Sequence, residues 1–161
     1  MENYTMEGRT YRYYGKEAPL YPFGYGLSYT TFQYQDLVLS PPVLPVCANL
    51  SVSVVLQNTG QQDGEEVVQL YLRWEQSSVP VPHWQLVGFR RVAVPAGQET
   101  KLSFLVVAEQ RAIWAQDWRL EPGTFTLFAG GQQPGQQTRA PSEVLSAQFT
   151  VTGAARPLRG C

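Results

Sequence analysis

The chain has 161 residues, a formal net charge of −1 at pH 7, two cysteines and one histidine. That length holds one domain with a proper core plus an extension. The near-neutral balance, without any block of like charge, excludes the concentrated basic patch of a nucleic-acid surface, and so few Cys and His supply neither a disulfide framework nor a structural zinc site.

Met1-Glu2-Asn3-Tyr4-Thr5 lacks the basic start and apolar core of a signal peptide, and no run is long enough to span a bilayer. No membrane contact is expected, and the chain itself assigns no compartment. Every tyrosine except Tyr71 precedes residue 35, which marks a boundary: residues 1–31 form an aromatic arm, residues 32–153 a domain, and residues 154–161 a frayed tail. Within the arm, Arg9 to Tyr14 reads as a short strand and Gly15 to Pro19 as a turn. Leu20 to Phe32 then alternates aromatic residues with Pro22, Gly24 and Gly26, giving a tight, stiff, aromatic-faced segment in which both glycines permit positive φ or close approach.

The domain reads as a succession of strands. Phe32 to Leu39 is broken by Ser40-Pro41-Pro42, and Asn49 to Gln57 places Leu50, Val52, Val54 and Leu56 on one face. After a loop from Asn58 to Gly64, Glu65 to Trp74 carries Val68, Leu70 and Leu72 on one side and Val67, Gln69 and Tyr71 on the other, as a central strand does. A proline-stiffened connection leads to Gln85–Val94, with a bulge expected at Gly88. Thr100 to Val106 alternates again, Ala108 to Trp114 fits one or two helical turns, and Thr124 to Ala129 follows the Glu121-Pro122-Gly123 turn. Gly130 to Pro141 is a Gly/Gln/Pro loop, and Val144 to Val151 is the last strand. About seven strands over roughly 120 residues fit an all-β, immunoglobulin or fibronectin type III-like antiparallel sandwich.

Several of these stretches occur together in one known family. Gly8-Arg9-Thr10-Tyr11-Arg12-Tyr13, the run Pro19 to Phe32, Asn58-Thr59-Gly60, Asp63 to Leu72, Gln85 to Val92, Ala96-Gly97 and Glu121 to Phe125 follow one another as in the C-terminal fibronectin type III-like domain of family-three glycoside hydrolases, and the segment leading into it. The chain resembles that region, with a Gly130–Gly135 loop closer to the β-xylosidase branch than to the β-glucosidase branch. The resemblance implies a detached accessory domain whose partners are the catalytic domains that hold the aspartate nucleophile and glutamate acid/base. Neither is present here, so no catalytic residue and no cofactor is expected.

The chain's own carboxylates support that expectation. Retaining glycoside hydrolysis needs two carboxylates about 5 Å apart, whereas Glu65 and Glu66 are neighbours on a strand and point to opposite faces. Asp117-Trp118 imitates the family's nucleophile motif but follows Gln116 ahead of a turn, so Asp117 reads as a turn or capping group. His83, between Pro82 and Trp84, has no partners for a triad or a metal.

The remaining candidates concern binding. Tyr21, Phe23, Gly24, Tyr25, Gly26 and Tyr29 form an arm that either docks on the catalytic domains, the reading expected in a full-length enzyme, or covers the sandwich. Trp74, Trp84, Trp114 and Trp118 either cover the ends of the sandwich or stack on sugar faces, the candidates for stacking being Trp74, Trp84 and Trp118; a free-standing carbohydrate- or protein-binding module is therefore the alternative function. Asn3-Tyr4-Thr5 and Asn49-Leu50-Ser51 match the N-glycosylation pattern at Asn3 and Asn49, which matters if the chain is secreted or lysosomal as part of a longer precursor. Cys161 is either a free thiol or one half of an intermolecular disulfide.

Overall fold

The computed structural model describes residues 5–14, 19–135 and 144–161. Its strands in chain order are β1 (Phe32–Ser40), β2 (Val43–Pro45), β3 (Leu50–Asn58), β4 (Gly64–Trp74), β5 (Gln85–Val94), β6 (Glu99–Val106), β7 (Ile113–Trp114), β8 (Trp118–Leu120), β9 (Gly123–Gly130), β10 (Leu145–Thr152) and β11 (Arg156–Pro157). They form a three-stranded sheet of order β1-β3-β6, a five-stranded sheet of order β2-β10-β9-β4-β5, and a small sheet β11-β8-β7. All seven strands expected from the alternation are present, as an all-β sandwich.

The alternation in β3 explains why the two main sheets face each other. Leu50, Val52, Val54 and Leu56 are fully or almost fully buried, and they meet Val68, Leu70 and Leu72 of β4 and Phe125 and Leu127 of β9 in one core. Phe125 stacks on Phe149 of β10 at 5.3 Å and on Trp74 at 4.9 Å, closing one end. In β5 the register passes from Leu70↔Gly88 to Tyr71↔Leu86, which leaves Val87 as the extra residue beside Gly88 where the bulge is expected.

Three local readings are corrected. Thr10–Tyr13 is a single helical turn, α1, not a strand: its chain has no neighbouring strand to pair with, and Tyr14 N–H closes on Thr10 O at 3.0 Å. Ala108–Arg111 is one 3₁₀ turn, after which Ile113–Trp114 enters a hairpin with β8. The tail is not frayed, because Arg156–Pro157 pairs with β8 and Cys161 forms an intrachain disulfide with Cys47, Cα–Cα 5.4 Å across 114 residues. That bond replaces both fates expected for Cys161.

Asn58, at the far end of β3, is a buried polar knot. Its Nδ2 donates to Gln62 O (2.7 Å) and Val94 O (2.9 Å), while its Oδ1 accepts from Thr30 Oγ1 (2.7 Å) and Gly60 N–H (3.0 Å). The side chain thus satisfies the β3–β4 loop, the end of β5 and the start of the domain together. Asn58→Ala leaves these buried groups unpaired and should cost about 2–4 kcal/mol in urea unfolding; a loss under about 0.5 kcal/mol, typical of an ordinary surface change, would contradict that role.

Candidate functional site

The arm is organised by a turn. Tyr25 N–H donates to Pro22 O at 3.1 Å, with Gly24 at φ +80, the positive value that the third position of a type II turn requires. Tyr21 and Tyr25 stack across it at 5.3 Å, and Phe23 stacks on Tyr11 of α1 at 4.1 Å with the rings 9° from parallel. Gly26 uses neither licence of glycine: its φ is not positive, and nothing lies within 4 Å of a Cβ built there.

What holds the turn is Gln69 of β4. Its Nε2 donates to Gly24 O and Gly131 O, both at 2.9 Å, and its Oε1 accepts from Tyr71 Oη at 2.7 Å. Gln133 adds N–H to Phe23 O (2.9 Å) and Nε2 to Tyr11 O (3.1 Å). A side chain at residue 24 would collide with the Gln69 amide, so glycine is needed for space as well as for φ. The outer face of the five-stranded sheet is therefore covered at Gln69 and Tyr71, 5% and 0% exposed, while Val67, two residues away, stays 38% exposed.

The arm's other side is bare. Leu20, Tyr21, Leu27 and Tyr29 are 77%, 60%, 88% and 98% exposed. The peptide is held on the sandwich by Gln69 and Gln133, while the rings of Phe23 and Tyr11 stack on each other and Leu20, Tyr21, Leu27 and Tyr29 are left to solvent. Exposed apolar groups in such a run, set on a fixed backbone, form a surface suited to a partner.

Of the tryptophans, Trp74 and Trp118 come together and Trp84 does not join them. Trp74 and Trp118, with Trp114, line a cleft of about 390 Å³ whose walls include Pro80, Pro82, Gln85, Glu109 and Arg111. Trp114 and Trp118 face each other across the β7–β8 hairpin, ring centres 5.6 Å apart and 69° from parallel, and both are more than half exposed. Trp84 instead meets Phe128 edge-on at 5.2 Å with the Arg73 guanidinium above it at 5.5 Å.

Each carboxylate of interest has its own partner. Glu65 pairs with Arg91 at the surface; Asp63 Oδ1 accepts from Ala96 N–H at 2.9 Å; Asp117 Oδ1 accepts from Arg119 Nε at 2.9 Å in the β7–β8 turn. Glu66 faces the other way and accepts a bond from Tyr34 Oη at 3.0 Å, linking the two sheets. His83 is exposed, its backbone N–H bonded to Arg12 O at 2.8 Å. Asn49 is exposed at the foot of β3, and Asn3 lies outside the described residues. No cluster of three or more His, Cys, Asp or Glu suited to a metal occurs among the described residues.

Residues 66–133 match the model of the fibronectin type III-like domain. A periplasmic β-glucosidase of Salmonella typhimurium is 40% identical over 124 residues, 75% of this chain and 16% of that protein, and a β-xylosidase of Formosa agariphila is 37% identical over 134 residues, 82% of this chain and 18% of that one. A solved β-glucosidase from Erythrobacter marinus superposes with a TM-score of 0.76 at 29% identity, over 86% of this chain and 18% of its own. Another, from Listeria innocua, gives 0.75 at 30%, over 84% and 18%. The chain resembles the C-terminal fibronectin type III-like part of family-three glycoside hydrolases. It spans under a fifth of each of these proteins, and β-glucosidases and β-xylosidases match it alike.

In this fibronectin type III-like domain, reading the sequence alone overlooks Gln69, Gln133, Tyr11 and Asn58, the residues that place the arm. One signal was available for Gln69: it precedes Tyr71 on the outward side of a strand otherwise rich in apolar residues, so that face needed a cover. Gln133 sits among glutamines of a loop and offers none.

Two outcomes follow from this geometry. Gln69→Leu leaves Gly24 O, Gly131 O and Tyr71 Oη without their partner and should lower stability by about 2–4 kcal/mol in urea; a change under about 0.5 kcal/mol would contradict its role as the arm's anchor. For Glu66, burial raises the carboxyl above its ordinary range and the Tyr34 bond partly opposes this. An acid with a raised folded pKa contributes most at low pH, and that contribution is lost as pH climbs from the unfolded value through the folded one. Glu66→Gln, always neutral, should therefore gain on the native chain as pH rises above the ordinary carboxylate range; a difference that moves the opposite way in paired urea titrations would refute the assignment.

Proposed function

We propose that this chain is a non-catalytic module that docks on glycosidase catalytic domains through its aromatic arm and stabilises them. The observation that carries the reading is the division of the arm. Gln69 and Gln133 hold its backbone on the sandwich, while Leu20, Tyr21, Leu27 and Tyr29 are left exposed. Burying such side chains on a partner contributes roughly 1.5–3 kcal/mol each. The small share of each relative that this chain spans supports a partner of that kind, since most of a glycosidase lies outside the matched region.

The same reading makes the isolated chain inactive on glycosides. Among the described residues, Glu65, Glu66, Asp63 and Asp117 are tied to Arg91, Tyr34, Ala96 and Arg119 respectively, which does not supply the pair of facing carboxylates that retaining hydrolysis needs. The test uses a family-three β-glucosidase truncated of its own fibronectin type III-like domain. The pure chain should bind it and raise its thermal midpoint, and Leu27→Ser with Tyr29→Ser should weaken binding at least tenfold, equivalent to about 1.4 kcal/mol. No binding by the native chain, or turnover of nitrophenyl β-xyloside or β-glucoside by the chain alone, would defeat the reading.

The cleft favours a second reading, an oligosaccharide-binding module. Trp114 and Trp118 offer exposed rings, and Gln85 and Glu109 stand beside them as polar groups. Titration with xylo-oligosaccharides should then change tryptophan fluorescence saturably, and Trp118→Ala should abolish the change. The absence of a saturable change leaves the docking module alone.

A further inference from the structure

The connection Val46 to Asn49, between β2 and β3, is fixed from three directions. The Cys47–Cys161 disulfide ties it to the end of the tail. Arg111, buried in the 3₁₀ turn at 4% exposure, donates from Nη2 to Val46 O (3.2 Å) and Ala48 O (2.5 Å). Asn49 Oδ1 accepts from Ala108 N–H at 3.0 Å. This last bond uses only half of the Asn49 carboxamide. Asn49 is exposed, and its Nδ2 has no partner among the described residues.

Asn49 is also the first residue of Asn49-Leu50-Ser51. Leu50 is fully buried, whereas Asn49 and Ser51 both lie at the surface. The strand's alternation thus sends the spacer inward and leaves the two recognition residues outward. A glycosylated asparagine keeps its carbonyl oxygen as an acceptor, so a glycan on Nδ2 is compatible with the bond to Ala108. The site also stands at the opposite end of β3 from Thr30 and Asn58, about 30 Å away at strand rise, so a glycan there does not crowd the arm's entry into the domain.

We propose that Asn49 is an N-glycan acceptor, in a chain that matures in an oxidising compartment where Cys47 and Cys161 join. Two independent chemistries converge within residues 47–51: a disulfide, which persists in oxidising surroundings, and an acceptor tripeptide whose asparagine stays exposed once the strand has folded, leaving room for a glycan. In the first, the two thiols give up two protons and two electrons to an oxidised protein disulfide, which leaves as a dithiol. In the second, Asn49 Nδ2 forms a bond to the anomeric carbon of a lipid-diphosphate-linked oligosaccharide. The bond from that carbon to the diphosphate oxygen breaks, the amide proton passes to a base, and the lipid diphosphate departs. Asn49 itself caps the Ala108 turn only after folding, so transfer acts on the extended chain before β3 is paired.

The experiment is peptide mapping of the full chain made behind a cleavable secretion signal in eukaryotic cells, on both secreted and microsomal material. The peptide containing Asn49 should carry a glycan that an amidase removes, leaving Asp at 49, and the Cys47 and Cys161 peptides should be linked without reductant. Ser51→Ala should reduce occupancy at Asn49 at least tenfold and Ser51→Thr should keep it; neither touches the Asn49–Ala108 bond, so both hold the fold. Predominantly unmodified Asn49 in native material would overturn the glycan assignment, and two thiols open to alkylation in that material would overturn the compartment. Neither readout involves a glycosidase partner, so the outcome is independent of the docking module.

Discussion

The arrangement of this molecule depends on one amide. Gln69 stands on the outer face of β4, where a strand of an exposed sheet would carry a solvated side chain, and it is buried because Gly24, Gly131 and Tyr71 complete its hydrogen bonds. A buried amide left without partners costs more than the bonds return, so the arm has to be present for Gln69 to be buried at all. The arm in turn needs Gly24, since any side chain there would meet Gln69. Sandwich and arm are therefore joined by hydrogen bonds that cross the change of composition near residue 32.

Much of this was legible in the sequence, and the reason is periodicity. The clean alternation of β3 and β6 located both strands within about a residue, and Gly88 marked the bulge in β5. What escaped has no period. α1 is a single turn, closed by the Tyr14 N–H to Thr10 O bond, whose aromatic residues suit a strand equally well. The disulfide joins residues 114 apart, so only the folded topology, which returns the tail to the β2–β3 connection, could reveal it. The tryptophans divided for a related reason: Trp74 follows the inward set of β4 onto Phe125, whereas Trp84 lies in an irregular connection and covers Phe128.

The candidate sites follow the same pattern. The sequence indicated an aromatic arm and left it two readings, docking on catalytic domains or covering the sandwich. In the structure the Phe23 carbonyl is held by Gln133 and its ring stacks on Tyr11 within the arm, while Leu27 and Tyr29 are left exposed. The arm's backbone is therefore positioned by the sandwich itself. Asp63, Asp117, Glu65 and Glu66 are each engaged locally, in a turn, a surface pair or the Tyr34 link between sheets.

The central claim, that the arm is fixed by its own sandwich, is tested most directly by hydrogen exchange of the isolated chain. The account predicts that the amides of Tyr25 and Gln133, bonded to Pro22 O and Phe23 O, exchange far more slowly than in an unfolded chain, and that Gln69→Leu releases them while β3 stays protected. Exchange of those amides at unfolded rates, with β3 protected in the native chain, would contradict it.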